Sequence, residues 1–278
     1  LAGLTDGSVT VTASVSDKAG NPASVDHNLT VDVTVPAVTI NTVAGDDVIN
    51  LAEHSQAHII SGTATGAAAG DKVTVTIGGQ TYTTVLDAAG NWSVGVPASV
   101  ISGLSDGSVT VTASVTDAAG NTGTGTHNVT VDTGLPSVSF NAISDDNVLN
   151  AVEKGQDLRV SGTSANLAEG TVVAVTLNGK NYTATTAADG TWSLTVPAAD
   201  LAGLGEANYT VTANVTDSVG NSASTSHDVL VDSSLPVVTI DTLAGDNIVN
   251  AAEVAAGQTL TGKVTNAAPG DTVTITLG

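Results

Sequence analysis

One block of sequence returns three times at a fixed interval, and that regularity constrains the fold more than any other feature. GLTDGSVTVTASVSDKAGN begins at Gly3, GLSDGSVTVTASVTDAAGN at Gly103, and the more divergent GLGEANYTVTANVTDSVGN at Gly203. A second block keeps step: VTINTVAGDDVINLAE from Val38, VSFNAISDDNVLNAVE from Val138 and VTIDTLAGDNIVNAAE from Val238. The period is 100 residues, with no insertion between copies. Such a unit is too long for one coil of a solenoid and matches a small β-sandwich with its own core.

Within one period the apolar pattern repeats every second residue. Val109, Val111, Ala113 and Val115 alternate with Thr110, Thr112, Ser114 and Thr116, which marks a half-buried strand. His127, Val129 and Val131 alternate with Asn128, Thr130 and Asp132 in the next, after a turn at 117–121. Runs at 38–41, 58–64, 72–77, 81–86 and 92–96 bring the count to seven strands. Gly78-Gly79 is a tight hairpin signal. Segments 50–56 and 97–103 read as single helical turns, the second with Pro near its start and Gly at its end. The expected fold is therefore all-β, a tandem array of immunoglobulin-like sandwiches, without the Cys pair of antibody domains.

Boundaries fall at Pro36, Pro136 and Pro236, each just after a strand ending in Val-Asp. They give two complete repeats, 37–136 and 137–236. Residues 1–36 then hold the last two strands of a repeat, and 237–278 the first three. Linkers of three or four residues with φ fixed at Pro leave little freedom, so the array is expected to be an elongated, stiff rod. A fraction of a sandwich is marginal in water. Both end pieces are expected to fray, or to pair with the complementary end of another copy.

Charge narrows the function classes. The 278 residues carry 6 Lys plus Arg against 27 Asp plus Glu, a net charge of −21. That balance excludes electrostatic binding to nucleic acid or to an anionic membrane surface, both of which need a basic face. The absence of Cys removes disulfides, thiolate metal sites and Cys nucleophiles. No Met occurs, even at position 1, which points to an internal piece of a longer polypeptide. No apolar run approaches the ~18 residues of a membrane span. Aromatic residues make up 2%, too few for stacking platforms, and no nucleophile elbow, P-loop or zinc-protease helix is present. The chain is read as no enzyme.

The acidic loop of each repeat carries the strongest candidate chemistry. Asp46, Asp47, Asn50 and Glu53 recur as Asp146, Asn147, Asn150 and Glu153, then as Asp246, Asn247, Asn250 and Glu253. Four side-chain oxygen donors within eight residues, away from Lys and Arg, suit a hard divalent cation, Ca2+ above all. A second reading stands beside it: Asn50 as N-cap with Glu53 three residues on is a capping box. Two further acids recur. Asp32, Asp132 and Asp232 close the last strand of each repeat, and Asp17, Asp117 and Asp217 open the turn before it. Head-to-tail stacking brings Asp132 toward Asp217, and clustered carboxylates repel unless a cation neutralises them. The alternative for Asp117 is an Asx turn, with Gly120 supplying positive φ. Asp87 opens a similar turn but has Ala187 as its counterpart, so it reads as turn chemistry alone. His27, His127 and His227 read as packed sandwich-edge residues, and Trp92 and Trp192 as core anchors.

The runs T-V-T-A-x-V-T-D-x-x-G-N, V-D-x-x-x-P and G-D-[DN]-x-[ILV]-N-x-x-E resemble the bacterial Ig-like repeats of giant adhesins exported by type I secretion in Gram-negative bacteria. The resemblance covers the whole chain. It implies calcium-bound Ig-like domains in an extracellular stalk that serves adhesion or biofilm formation. It assigns metal roles to Asp46, Asp146, Asp246, Asp117, Asp217 and Asp132. The partners it implies are neighbouring repeats of the same chain and a host-cell or biofilm receptor bound elsewhere in the parent protein. Two departures stand out: Glu206 replaces Asp106, and Asp145 replaces Gly45. A competing function is a binding module that recognises a glycan or another adhesin.

Overall fold

The computed structural model describes residues 3–278. It divides into two compact units. One runs to Leu135 and includes the turn Ser218–Asn221; the other comprises Pro136–Asp217 and Ser222–Gly278.

The first unit opens with a hairpin, β1 (Gly7–Ser16) and β2 (Pro22–Val31), paired from Gly7 opposite Val31 to Ser16 opposite Pro22. A sandwich follows: β3 (Ala37–Ile40), β4 (Val48–Asn50), α1 (Leu51–His54), β5 (His58–Thr65), β6 (Lys72–Ile77), β7 (Gln80–Val85), β8 (Asn91–Val96), α2 (Ala98–Ile101), β9 (Gly107–Thr116) and β10 (Thr122–Asp132). One sheet has the order β3-β5-β8 and the other β4-β10-β9-β6-β7. Every pairing is antiparallel except β4 with β10, which is parallel and sets Ile49 beside Val131.

The alternation read along the sequence becomes the two faces of each strand. Val111, Ala113 and Val115 of β9 are buried, while Thr110 and Thr116 are exposed. They close on Ile60, Val73, Val75, Trp92 and Val131 in one core. Each fully buried Val or Ile contributes about 2 kcal/mol relative to exposure. The strand missing from the seven expected is β4, whose three residues lie inside the acidic loop; its Ile49 is completely buried.

In the second unit the same elements recur: β11 (Ser137–Phe140), β12 (Val148–Leu149), a single 3-10 turn (Glu153–Gly155), β13 (Leu158–Ala165), β14 (Val172–Leu177), β15 (Lys180–Thr185), β16 (Thr191–Val196), α3 (Ala198–Leu201), β17 (Ala207–Thr216) and β18 (Ser222–Val231). Sheet orders are β11-β13-β16 and β12-β18-β17-β14-β15. Beyond them lie β19 (Val237–Ile240), α4 (Ala251–Ala256) and β20 (Gly262–Thr265), with β19 paired to β20.

Both outer pieces keep paired strands, but their apolar faces are open. Val11 and Val15 of β1 are exposed, whereas the equivalent Val111 and Val115 are fully buried. The third strand expected in 237–278 is not formed: residues 272–277 have no regular structure. Its counterpart β6 is held between β7 and β9.

Candidate functional site: acidic loop and repeat linker

The acidic loop doubles back within a few residues. Ala44, Gly45 and Asp47 all have positive φ, as do Ser144, Asp145 and Asn147 in the second copy. Asx residues tolerate that region better than most side chains, which suits Asp47 and Asn147 to φ of 64° and 67°.

Asp47 is the hub. Its Oδ1 accepts from Val43 N at 2.8 Å and from His127 Nε2 at 2.7 Å. Its own N–H donates to Val43 O at 2.9 Å, and its carbonyl accepts from Thr130 N at 2.9 Å. An ionised carboxylate only accepts, so Nε2 of His127 carries the proton. One residue thus staples the loop to β10. Asn147 repeats this with Ile143 N at 2.8 Å, His227 Nε2 at 2.6 Å and Leu230 N at 2.9 Å. Asn247 accepts from Leu243 N at 3.0 Å. His127 and His227 are half-buried strand residues, as their place in the alternation indicates, but the alternation gives no sign of their bond to the acidic loop; His27, read as packed in the same way, is exposed.

The remaining loop acids also serve the backbone. Asp46, Asp146 and Asp246 each accept from the N–H two residues on, at 3.0, 2.9 and 2.9 Å. Asn50 Oδ1 accepts from Ala52 N and Glu53 N, while Glu53 Oε2 accepts from Asn50 N at 3.2 Å, completing a capping box. Asn150 with Glu153, and Asn250 with Glu253, make the same bonds.

The turn acids behave like Asp87. Asp117 Oδ1 accepts from Ala119 N and Asn121 N, and Oδ2 from Asn121 Nδ2. Asp87 makes the same set with Ala89 and Asn91. Where Ala187 stands, Asp189 takes over by accepting from Thr191 N and Oγ1. Asp217 opens the equivalent turn between β17 and β18.

At the linker, Asp32, Asp132 and Asp232 accept from Thr34 N, Gly134 N and Ser234 N at 3.1, 3.0 and 3.4 Å. A second acid, noted along the sequence only for the replacement of Asp106 by Glu206, holds the same segment from the strand side. Asp106 accepts from Thr133 N at 3.0 Å and Thr133 Oγ1 at 2.8 Å. Asp6 does so for Val33 N and Thr34 Oγ1, and Glu206 for Ser233 N and Oγ. The departure Glu206 therefore preserves the contact with one more methylene. Recurrence of an acid at 6, 106 and 206 is the available signal.

At Asp106 and Asp47 these bonds lower the carboxyl pKa. The Thr133 hydroxyl, then its N–H, holds Asp106 below the ordinary carboxylate range, and the Val43 N–H does so first for Asp47, with His127 adding to it. A depressed folded pKa means the stabilisation is full above the unfolded value of about 4 and is lost as pH falls through the lower folded value. Asp47→Asn should leave the first sandwich nearly unchanged at neutral pH, since Asn147 fills the same place, and should flatten its loss of stability below about pH 4. Melting followed by circular dichroism from pH 2 to 7 checks this. A calcium-dependent fall in melting temperature at pH 7 would instead make the Asp47 carboxylate an ion ligand.

The donor chemistry of these residues suits a hard cation. Among the described residues no three His, Asp or Glu side chains converge to hold a metal ion. Of the four loop positions, Asn50 and Glu53 bond each other, Asp47 bonds His127, and Asp46 accepts from Val48 N.

A family model described as bacterial Ig-like domain matches residues 34–133 and 143–242. One similar solved structure, from work on a Ca2+-stabilized adhesin with which an Antarctic bacterium reaches out and binds ice, is 36% identical with a TM-score of 0.51. The match covers 93% of this chain and 65% of that one. A second, concerning host cell surface retention of a 1.5-MDa bacterial ice-binding adhesin, is 34% identical with a TM-score of 0.50, covering 83% of this chain and 76% of that one. No curated protein sequence matches. With both sandwiches matched by the same model and the fold in agreement, the chain belongs to the bacterial Ig-like domain family.

Proposed function

We propose that this chain is a length of stalk in a large bacterial surface adhesin, outside the cell, where tandem Ig-like repeats hold an adhesive region at a distance. Residues 37–136 and 137–236 are its complete repeats, and 1–36 and 237–278 belong to the repeats on either side. The observation that carries this reading is the linker. At every period it is pinned to its own repeat by two acids, Asp106 with Asp132 in the first case and Glu206 with Asp232 in the second. A segment built to be flexible would not repeat such bonds. The similar structures come from adhesins, and among the described residues no helix is long and apolar enough to cross a membrane.

The proposal includes calcium stiffening. It is supported by the description of one relative as Ca2+-stabilized and by the charge of −21. Asp46, Asp132, Asp146 and Asp232 are the candidate ligands, because each uses only one carboxylate oxygen in the bonds above. Millimolar calcium on sites of extracellular-type affinity adds roughly 1 kcal/mol each, modest for folding and sufficient to bias a hinge.

Small-angle scattering tests both the stalk and the calcium. An extended particle in calcium is expected, with a smaller maximum dimension after chelation. A compact particle in both conditions would remove the stalk reading, and an unchanged extended one would remove calcium alone. Asn50→Ala supplies the contrast: loss of the cap should cost about 1 kcal/mol equally with and without chelator.

A further inference from the structure

We propose that Asn121 and Asn221, which close the last hairpin turn of their repeats, are positioning residues that fasten a strand end 89 residues upstream through the side-chain amide, as a clamp made without an ion. The inference rests on the stalk reading and adds to it two named residues that hold the strand ends and linker.

The turn itself aims the amide. In Asp17–Asn21, Asp87–Asn91 and Asp117–Asn121 the Asp Oδ1 takes two backbone N–H groups and Oδ2 takes one Nδ2 hydrogen. Holding one amide hydrogen fixes the direction of the other, because the group is planar. In Asn91 that second hydrogen has only Asp87 again, at 3.4 Å. In Asn121 it reaches the carbonyl of Asp32 at 3.1 Å. The turn is common to several hairpins; among the described residues Asn121 and Asn221, each before the last strand of its repeat, use it for reach.

Asn221 makes the fuller contact, and it does so inside the same compact unit, to which Ser218–Asn221 belongs. Its Nδ2 donates to Asp132 O at 3.0 Å and to Gly134 O at 3.3 Å. Its Oδ1 accepts from Leu51 N at 2.8 Å. Leu51 is the first residue of α1, and Asn50 already caps the next two N–H groups, so Asn221 takes a donor the cap leaves over. The side chain is only 4% exposed. The amide cannot be turned end for end: Nδ2 would then face the Leu51 N–H, and Oδ1 would face two carbonyl oxygens.

The acceptors are held in advance. Asp132 and Gly134 sit in the linker that Asp106 and the Asp132 carboxylate pin, and Asp32 sits in the linker that Asp6 pins. Both halves of the clamp are therefore ordered before they meet, which limits the entropy lost on closing. A carboxylate at 221 would instead set a charged acceptor against two carbonyls, an arrangement that favours a cation.

Amide hydrogen exchange at Leu51 reads the clamp directly, in the whole chain and with chelator present. The native protein should protect Leu51. Asn221→Ala should speed exchange there about tenfold, the effect of one lost buried hydrogen bond, while Val111 in the core stays unchanged. Asn221→Asp should lose the protection in chelator and recover some of it in millimolar calcium. Unchanged exchange at Leu51 in Asn221→Ala, or protection in the native protein that appears only with calcium, would overturn the clamp. For the second site, 15N relaxation of residues 22–31 in Asn121→Ala should depart from that of residues 107–132; matching values would overturn it there. A compact scattering profile would remove the stalk while leaving these exchange results standing, so the two failures are distinguishable.

Discussion

Gly62→Ala lowers the melting temperature of the first sandwich by about 15 °C and leaves the second in place. A Cβ at position 62 would lie 2.0 Å from Thr39 O and 2.5 Å from the Trp92 ring. The first is backbone of β3, hydrogen-bonded along β5 with Ile40 opposite Gly62, so it cannot swing aside. The second belongs to a side chain 3% exposed in the middle of the core. One methyl group must therefore push β3 away from β5 or displace the largest core ring, at a cost of about 3 kcal/mol. For a domain of about 100 residues that shift is easily resolved by calorimetry. The second sandwich, with its own core, serves as the internal standard. A change below about 3 °C would mean that β3 is loosely held and that the sheet order overstates its role.

The same glycine shows what sequence reading could reach. Gly62, Gly162 and Gly262 recur at the period, yet nothing local distinguishes them from turn glycines, because the reason is a strand and a ring 23 to 30 residues away. Fold class and strand positions were legible because a period of two and a period of 100 are both written along the chain. β4 was not, since three residues cannot display an alternation and Ile49 finds its partner across the sheet at Val131.

The acidic loop was legible as a cluster and not as a function. An Asp that accepts from an N–H two residues on has the same sequence neighbourhood as one that waits for a cation. Glu53 with Asn50 carried the capping box openly, and Asp87 correctly identified the turn chemistry that Asp117 shares. What sequence lacked were the distant partners: His127 for Asp47, Thr133 for Asp106 and Asp32 for Asn121. All three join residues 27 or more positions apart, and each is a polar contact without hydrophobic periodicity to reveal it.

Trp192→Ala is expected to destabilise the second sandwich by about 4 kcal/mol, the range for a large aromatic removed from a core. The ring is 2% exposed, stands edge-on to Phe140 with centroids 5.4 Å apart at 75°, and donates from Nε1 to Thr163 O at 3.3 Å. Its consequence for Gly162 makes the measurement more informative. A Cβ there would meet Ser139 O at 1.8 Å and the Trp192 ring at 2.6 Å, two obstacles of different origin. Removing the ring relieves only the second. Denaturant unfolding of Gly162→Ala, Trp192→Ala and the double variant should therefore give a double-variant loss smaller than the two singles combined, by about 1 kcal/mol. The coupling is the share of the glycine requirement owed to the ring, and the remainder is owed to the β11–β13 strand pair. Strict additivity would mean that the ring moves aside freely and that the strand carbonyl alone demands glycine, which would make the Gly–Trp contact a consequence of the sheet rather than one of its causes.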